Sequence, residues 1–84
     1  MADPIARDPF SGTGTANVPI KNTANYIVVF NDGTADITVT AGKFVTVVKG
    51  GDALDERVDP FTTLSISGNS AYRGYVRVIP GGVG

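Results

Sequence analysis

The sequence contains no cysteine, no histidine and no tryptophan. Without cysteine there can be neither a disulfide nor a thiolate metal site. Without histidine the chain lacks the usual general base at neutral pH and the commonest metal ligand. These absences argue against an enzyme and against a metal or cofactor site. We therefore expect no catalytic activity, no bound metal and no cofactor.

Excess charge and long apolar runs are missing as well. Seven Lys and Arg residues nearly balance eight Asp and Glu residues, which leaves a formal charge of −1 on 84 residues. A near-neutral chain lacks the basic footprint of a nucleic-acid-binding protein. The longest apolar run, 26–30, is too short to cross a membrane, and residues 1–10 lack the pattern of a secretory signal. We therefore expect neither nucleic acid nor membrane as a partner, and a homo-oligomer because so short a chain buries little area alone.

Strand signals recur from residue 25 onward, and turn-forming residues separate them. Residues 26–30 are apolar on both faces and predict a central strand, and the Asn-Asp-Gly-Thr sequence at 31–34 predicts a turn. The segment 53–58 is crowded with charge and predicts an edge strand or an ordered loop. No segment has a helical period. The spacing predicts an all-β fold, a small antiparallel β-sandwich or jelly-roll-like barrel of roughly six to seven strands.

Alternation along these strands also predicts the core. Apolar side chains at every second position share one face of a strand. The predicted core consists of Ile27, Val29, Ile37, Val39, Val45, Val47, Leu64, Ile66, Val76 and Val78.

The chain divides by composition into three parts. Three prolines and a Ser-Gly-Thr-Gly-Thr stretch near the start favour extended backbone without helix. The predicted parts are an extended N-terminal arm at 1–22, a β-sandwich domain at 23–79 and a flexible C-terminal tail at 80–84.

The N-terminal arm carries isolated large apolar residues and has two interpretations. It is either a leader that stays disordered, as termini often do, or an arm that docks on a neighbouring subunit. Docking would bury its apolar side chains, and deleting the arm would then leave a folded domain that no longer assembles. The predicted interface residues of the arm are Ile5, Phe10, Val18 and Ile20.

Three other sequence patterns are candidates for a metal-binding, phosphate-binding or catalytic site. The acidic residues between 52 and 59 lack the spacing of a calcium loop and predict a solvated segment. The glycine-rich stretches at 12–14 and 50–51 do not follow a strand and open a helix, as a phosphate-binding loop does. The Ser and Thr residues have no candidate base to activate them. None of the three predicts a reaction.

The last strand has a distinctive face. Arg73, Tyr75 and Arg77 share it by alternation. Arginine and tyrosine are enriched at protein-binding hot spots, and the same pattern stacks on single-stranded nucleic acid in other proteins. A plain solvent-facing side of the sandwich is the other alternative. This face predicts an interface, and the sequence does not identify the partner.

Three segments follow one another between Asn31 and Val78: DGTADITVTAGKFVTVVKGG, DERVDPFTTLSI and AYRGYVRV. Together they resemble small structural proteins of tailed bacteriophage virions. The resemblance implies a head decoration or cement protein, or a minor capsid component, that binds the major capsid protein. It also implies assembly into the virion in the host cytoplasm. It transfers no functional residue.

Virion decoration and its alternatives differ in what they require. Capsid additives are used in many symmetric copies, and closed three-fold symmetry would let each subunit bury its arm on the next, so we expect a trimer. A phage tail or spike module that binds host carbohydrate or another tail protein would display aromatic side chains, for which Tyr26, Tyr72 and Tyr75 are available. A bacterial surface module would normally carry an export signal.

Overall fold

The computed structural model describes residues 6–20 and 23–78, and within them the chain is all-β with no helix. Eight strands form because β-branched and aromatic residues alternate between short turns. The strands are β1 (Ala6–Thr13), β2 (Ala16–Val18), β3 (Ala24–Asn31), β4 (Ile37–Ala41), β5 (Phe44–Val48), β6 (Ala53–Phe61), β7 (Leu64–Ser67) and β8 (Ala71–Arg77).

The strands form two four-stranded antiparallel sheets. The first sheet has the order β1-β8-β3-β6 and the second has the order β2-β7-β4-β5. Consecutive strands alternate between the sheets except at the β4–β5 hairpin. The two sheets enclose one apolar core between their inner faces.

The predicted all-β antiparallel architecture is confirmed, but the predicted number of strands is wrong. The structure has eight because β1 and β2 form within the predicted arm. Each is an edge strand, where proline and flexible residues are tolerated. The charged segment at 53–58 lies in a strand, β6, at the other edge of the first sheet, as the edge-strand alternative predicted, and the strand continues to Phe61.

The division into arm, domain and tail stays a prediction. Residues 6–20 of the arm supply β1, which pairs with β8, and β2, which pairs with β7 of the same chain. The tail at 80–84 lies outside the described residues.

The core confirms most of the predicted inward residues, but three assignments are wrong. Val45, Val47 and Val78 are 61%, 56% and 38% exposed. β5 is apolar on both faces, and the face that carries Val48 turns inward. Val18, Ala24, Phe61 and Tyr72 are buried in the core and had not been assigned to it.

β1 is attached to the first sheet through a close approach at Gly74. A Cβ at this position of β8 would overlap the Val28 carbonyl oxygen and lie 2.8 Å from the Phe10 ring. Phe10 therefore packs where residue 74 has no side chain. Its ring centroid is 6.3 Å from that of Tyr72, and the ring planes are tilted by 56°.

Two valines on neighbouring strands test the core assignment. Val39 in β4 is 0% exposed and Val45 in β5 is 61% exposed. We expect Val39→Ala to lower the free energy of unfolding by about 2–3 kcal/mol, because it removes buried methyl groups and leaves a cavity. The matched control Val45→Ala should change it by less than about 0.5 kcal/mol. Urea denaturation measures both, and equal losses would contradict the inward face assigned to these strands.

Candidate interaction surface

A cluster of aromatic and arginine side chains covers the outer face of the first sheet. The pairing of β3 with β8 places Tyr26 opposite Arg77, Val28 opposite Tyr75 and Phe30 opposite Arg73. Alternation puts all six side chains on the side away from the core, because Ile27, Val29 and Val76 point inward. We call Tyr26, Phe30, Arg73, Tyr75 and Arg77 the aromatic–arginine face.

Both arginines of this face lie over aromatic rings. The Arg73 guanidinium carbon is 4.4 Å from the centroid of Phe30. That of Arg77 is 5.2 Å from the centroid of Tyr75 and 5.6 Å from that of Tyr26. Arg77 Nη2 also donates a hydrogen bond of 3.0 Å to Tyr75 Oη. Such cation–π contacts hold long side chains in place, which reduces the entropy that a binding partner must remove.

Val28 lies at the centre of the aromatic–arginine face. It is 2% exposed, yet it is not part of the core cluster between the sheets. Its neighbours on the outer face are Tyr75 on β8 and Asp55 on β6. The face therefore has a shielded apolar centre with half-buried rings around it.

Two carboxylates border the face. Arg73 Nε donates a 2.9 Å hydrogen bond to Asp32 Oδ2, and the side chains are 59% and 43% exposed, so this ion pair contributes little stability. The Tyr26 hydroxyl donates to Asp55 Oδ1. This hydrogen bond raises the pKa of the Tyr26 phenol above its usual value of 10.0. The hydroxyl proton of Tyr26 is directed at Asp55.

The structure brings together the residues predicted on the last strand. Arg73, Tyr75 and Arg77 lie on one face, and their role as an interface stays a prediction. Tyr26 had been considered only as an available aromatic residue, and Phe30 had been missed. The signal for both was present in β3, which is apolar on the outer as well as the inner face.

The predicted interface residues of the arm lie elsewhere. Val18 is buried in the core at 9% exposure, and Phe10 and Ile20 pack against the core while partly buried. Ile5 lies outside the described residues. The described members therefore contact their own subunit, and their role between subunits stays a prediction.

The acidic segment contributes Asp55 to the edge of the aromatic–arginine face. Among residues 6–20 and 23–78, no three or more acidic side chains come close enough together to hold a metal ion. The same residues contain no helix that is long and apolar enough to cross a membrane.

A groove lies at the β2 end of the second sheet. Its volume is about 430 Å³, and it is lined by β2, by the residues that follow it and by Thr62, Thr63 and their neighbours. None of the lining residues that the structure describes is charged. These described residues offer hydroxyl and amide groups for hydrogen bonding, and none of them could act as a general acid or base at neutral pH.

No protein-family model, curated protein or solved structure matches this chain. Its function has to be inferred from the geometry of its own residues. In that geometry the aromatic–arginine face gathers three aromatic rings and two arginines on one outer surface.

Proposed function

We propose that the chain is a structural protein of a phage virion, a decoration, cement or minor capsid protein that binds the shell through protein–protein contacts. One observation carries the proposal. The aromatic–arginine face holds two arginines over three rings around the shielded Val28. Arginine and tyrosine dominate the energetics of protein interfaces, and a preformed cluster binds with less loss of side-chain entropy.

The topology supports this proposal. The sheets pair β1 with β8, β2 with β7, β3 with β6 and β4 with β5. This is the pairing of a jelly roll, an architecture that recurs in viral capsid and lectin domains. A fold alone does not determine function, so the topology serves here as an analogy beside the evidence of the face.

The charge of the face favours a protein partner over a nucleic acid. Asp32 pairs with Arg73, and Asp55 lies beside Tyr26, so carboxylates border the arginines. Nucleic-acid binding depends on many cations that neutralise phosphates, whereas this chain has a formal charge of −1. A shell surface that offers apolar side chains and a few carboxylates fits the face better.

A carbohydrate-binding tail or spike module is the second candidate. Tyr26, Phe30 and Tyr75 present rings on one face, as sugar-binding surfaces do, whereas Tyr72 is buried at 3% exposure. The arginines, however, lie over these rings and would compete with a stacked sugar. This contact is why we place shell binding first.

Co-sedimentation tests the proposal. The purified protein is mixed with shells assembled from the major capsid protein of the same genome and separated on a density gradient. We expect the protein to sediment with the shells and Arg73→Ala/Tyr75→Ala to bind at least about tenfold more weakly, because a hot-spot pair is lost. The matched control Thr15→Ala/Ser67→Ala changes exposed residues away from the face and should bind normally.

The outcomes separate the two candidates. Absence of the wild-type protein from the shell fractions, or full binding by the double variant, would overturn the proposed attachment. Binding to a panel of immobilised glycans, lost in Arg73→Ala/Tyr75→Ala and without shell binding, would establish the carbohydrate module instead.

A further inference from the structure

The second sheet ends in an edge strand with an exposed apolar stripe. Among the described strands, β5 pairs only with β4, so one side of its backbone has no strand beside it. Val45 and Val47 are 61% and 56% exposed on its outer face. Lys43, in the turn before β5, and Lys49, directly after it, are also exposed. The stripe therefore consists of two valines flanked by two lysines.

The rows next to Val45 and Val47 carry hydroxyl side chains. Thr40 lies opposite Val45, and Thr38 lies opposite Val47. Ser65 and Ser67 of β7 continue the same two rows. The one ion pair found within the described part of the chain joins Arg73 to Asp32, so it involves neither lysine. Asp59 lines a groove together with Lys43, and Asp36 directly precedes β4, but among the described residues neither forms an ion pair with a lysine. Both lysines therefore remain available to a carboxylate of a ligand at this edge.

We propose that β5 binds an extended segment of another protein as an added strand, with carboxylates opposite Lys43 and Lys49 and apolar side chains opposite Val45 and Val47. Backbone hydrogen bonds to an open sheet edge supply affinity, and alternate side chains supply specificity. The two lysines are about 20 Å apart at about 3.3 Å per residue, which sets the spacing of the carboxylates. The recognised pattern is acidic, any, apolar, any, apolar, any, acidic.

Charge selects this occupant over a second copy of the chain. Antiparallel pairing of two β5 strands about Thr46 would place Val45 of one copy opposite Val47 of the other. The same register would place Lys43 of each copy opposite Lys49 of the other. Like charges directly opposite each other destabilise a strand pair. Lysines at the ends of an edge strand also discourage self-pairing, while they attract a segment with acidic ends.

This edge is independent of the surface proposed for shell binding. β5 belongs to the second sheet, and the aromatic–arginine face belongs to the first. One molecule could therefore bind two partners at once, so failure of either proposal leaves the other standing.

Synthetic peptides test the proposed recognition on the full-length protein. The first probe is fluorescently labelled Glu-Thr-Val-Thr-Val-Thr-Glu, the second has lysine at both ends, and the third has proline at its centre. We expect the acid-ended peptide to bind at least about tenfold more tightly than the other two, because they lose the charge pairing or a backbone donor. Binding should also slow amide hydrogen exchange in β5.

A charge-reversed variant makes the test specific to this edge. Lys43→Glu/Lys49→Glu should reverse the preference, so that the lysine-ended peptide binds more tightly. Arg57→Glu, at an exposed position of β6 in the other sheet, serves as the control and should keep the wild-type preference. Circular dichroism verifies that each variant is folded. Equal binding of all three peptides, no binding, or an unreversed preference in the folded variant would overturn the proposal. The proposal would also be overturned if, without peptide, amide hydrogen exchange in β5 became slower as the protein concentration rises. That result would indicate that two copies pair through β5.

Discussion

Replacing Asn31 with alanine is expected to lower the free energy of unfolding by about 3–5 kcal/mol. Asn31 is 2% exposed at the end of β3, and its side-chain amide is fully hydrogen-bonded. Nδ2 donates to the carbonyl oxygens of Ala35 and Val48, at 2.8 and 2.9 Å. Oδ1 accepts from the Gly33 amide at 3.1 Å and from Ser70 Oγ at 2.6 Å.

The expected loss is large because four groups lose a partner together. Asn31 connects the loop after β3, the end of β5 and the turn before β8, so its amide joins three chain segments at one end of the sandwich. A buried polar group left without a partner costs about 1–3 kcal/mol, and some of these groups will be rescued by water. A domain of this size has only about 4–13 kcal/mol of stability in total, at about 0.05–0.15 kcal/mol per residue.

Two variants calibrate this prediction. Ser70→Ala removes one of the four hydrogen bonds and should cost about 1–1.5 kcal/mol. Asn69→Ala changes the exposed neighbour of Ser70 and should stay within about 0.5 kcal/mol of the wild type. Urea denaturation followed by circular dichroism measures all three. A loss below about 1 kcal/mol for Asn31→Ala would mean that water replaces the amide without cost.

The role of Asn31 could not be predicted from its neighbours in the sequence. The segment 31–34 has turn-forming residues, and a turn was the expectation. In the structure Asn31 is the last residue of β3, and its side chain bonds to Ser70, which is distant in sequence. Only the pairing of β3 with β8 brings these two residues together.

The strands of β4 and β7 were predictable because their alternation has one apolar and one polar face. Ile37, Val39, Leu64 and Ile66 are accordingly buried. β5 has apolar residues on both faces, so local pattern does not decide which face turns inward. The register with β4 decides it, because Val48 lies opposite the buried Ile37 and shares its inward face.

Only part of the aromatic–arginine face could be predicted from the sequence, because local pattern does not fix how strands pair. Arg73, Tyr75 and Arg77 share a face by their spacing alone, which requires only that β8 is a strand. Tyr26 and Phe30 join them through the register between β3 and β8, and register is set by tertiary packing. The apolar outer face of β3 indicated that further side chains would pack on it, since a strand that is buried on both faces needs neighbouring side chains on both.

Deleting residues 1–20 is expected to abolish cooperative folding. The sequence favoured an arm whose loss would leave a folded domain, but the structure changes this expectation. The deletion removes β1 and β2, which pair with β8 and β7 of the same chain. It also removes Val18 from the core and Phe10 from its place beside Gly74. Circular dichroism and thermal unfolding of the truncated protein provide the measurement.

A single substitution makes the same test without removing strands. Val18→Ala should lower the free energy of unfolding by about 1.5–3 kcal/mol, because Val18 is 9% exposed in the core. Thr15→Ala, exposed just before β2, should change it by less than about 0.5 kcal/mol. A truncated protein that unfolds cooperatively with the wild-type midpoint would show that the arm is only a leader.

Protein concentration distinguishes an arm that packs on its own subunit from one that is exchanged with a neighbour. If β1 and β2 stay on their own subunit, the arm itself adds no dependence of the unfolding midpoint on protein concentration. If the arm is supplied by a neighbour, folding is coupled to association and the midpoint rises with concentration. The contacts of Phe10 and Val18 within one chain favour a constant midpoint. A midpoint that rises with concentration in the wild type, but not in a variant with the arm deleted, would instead establish the arm exchange that the sequence suggested.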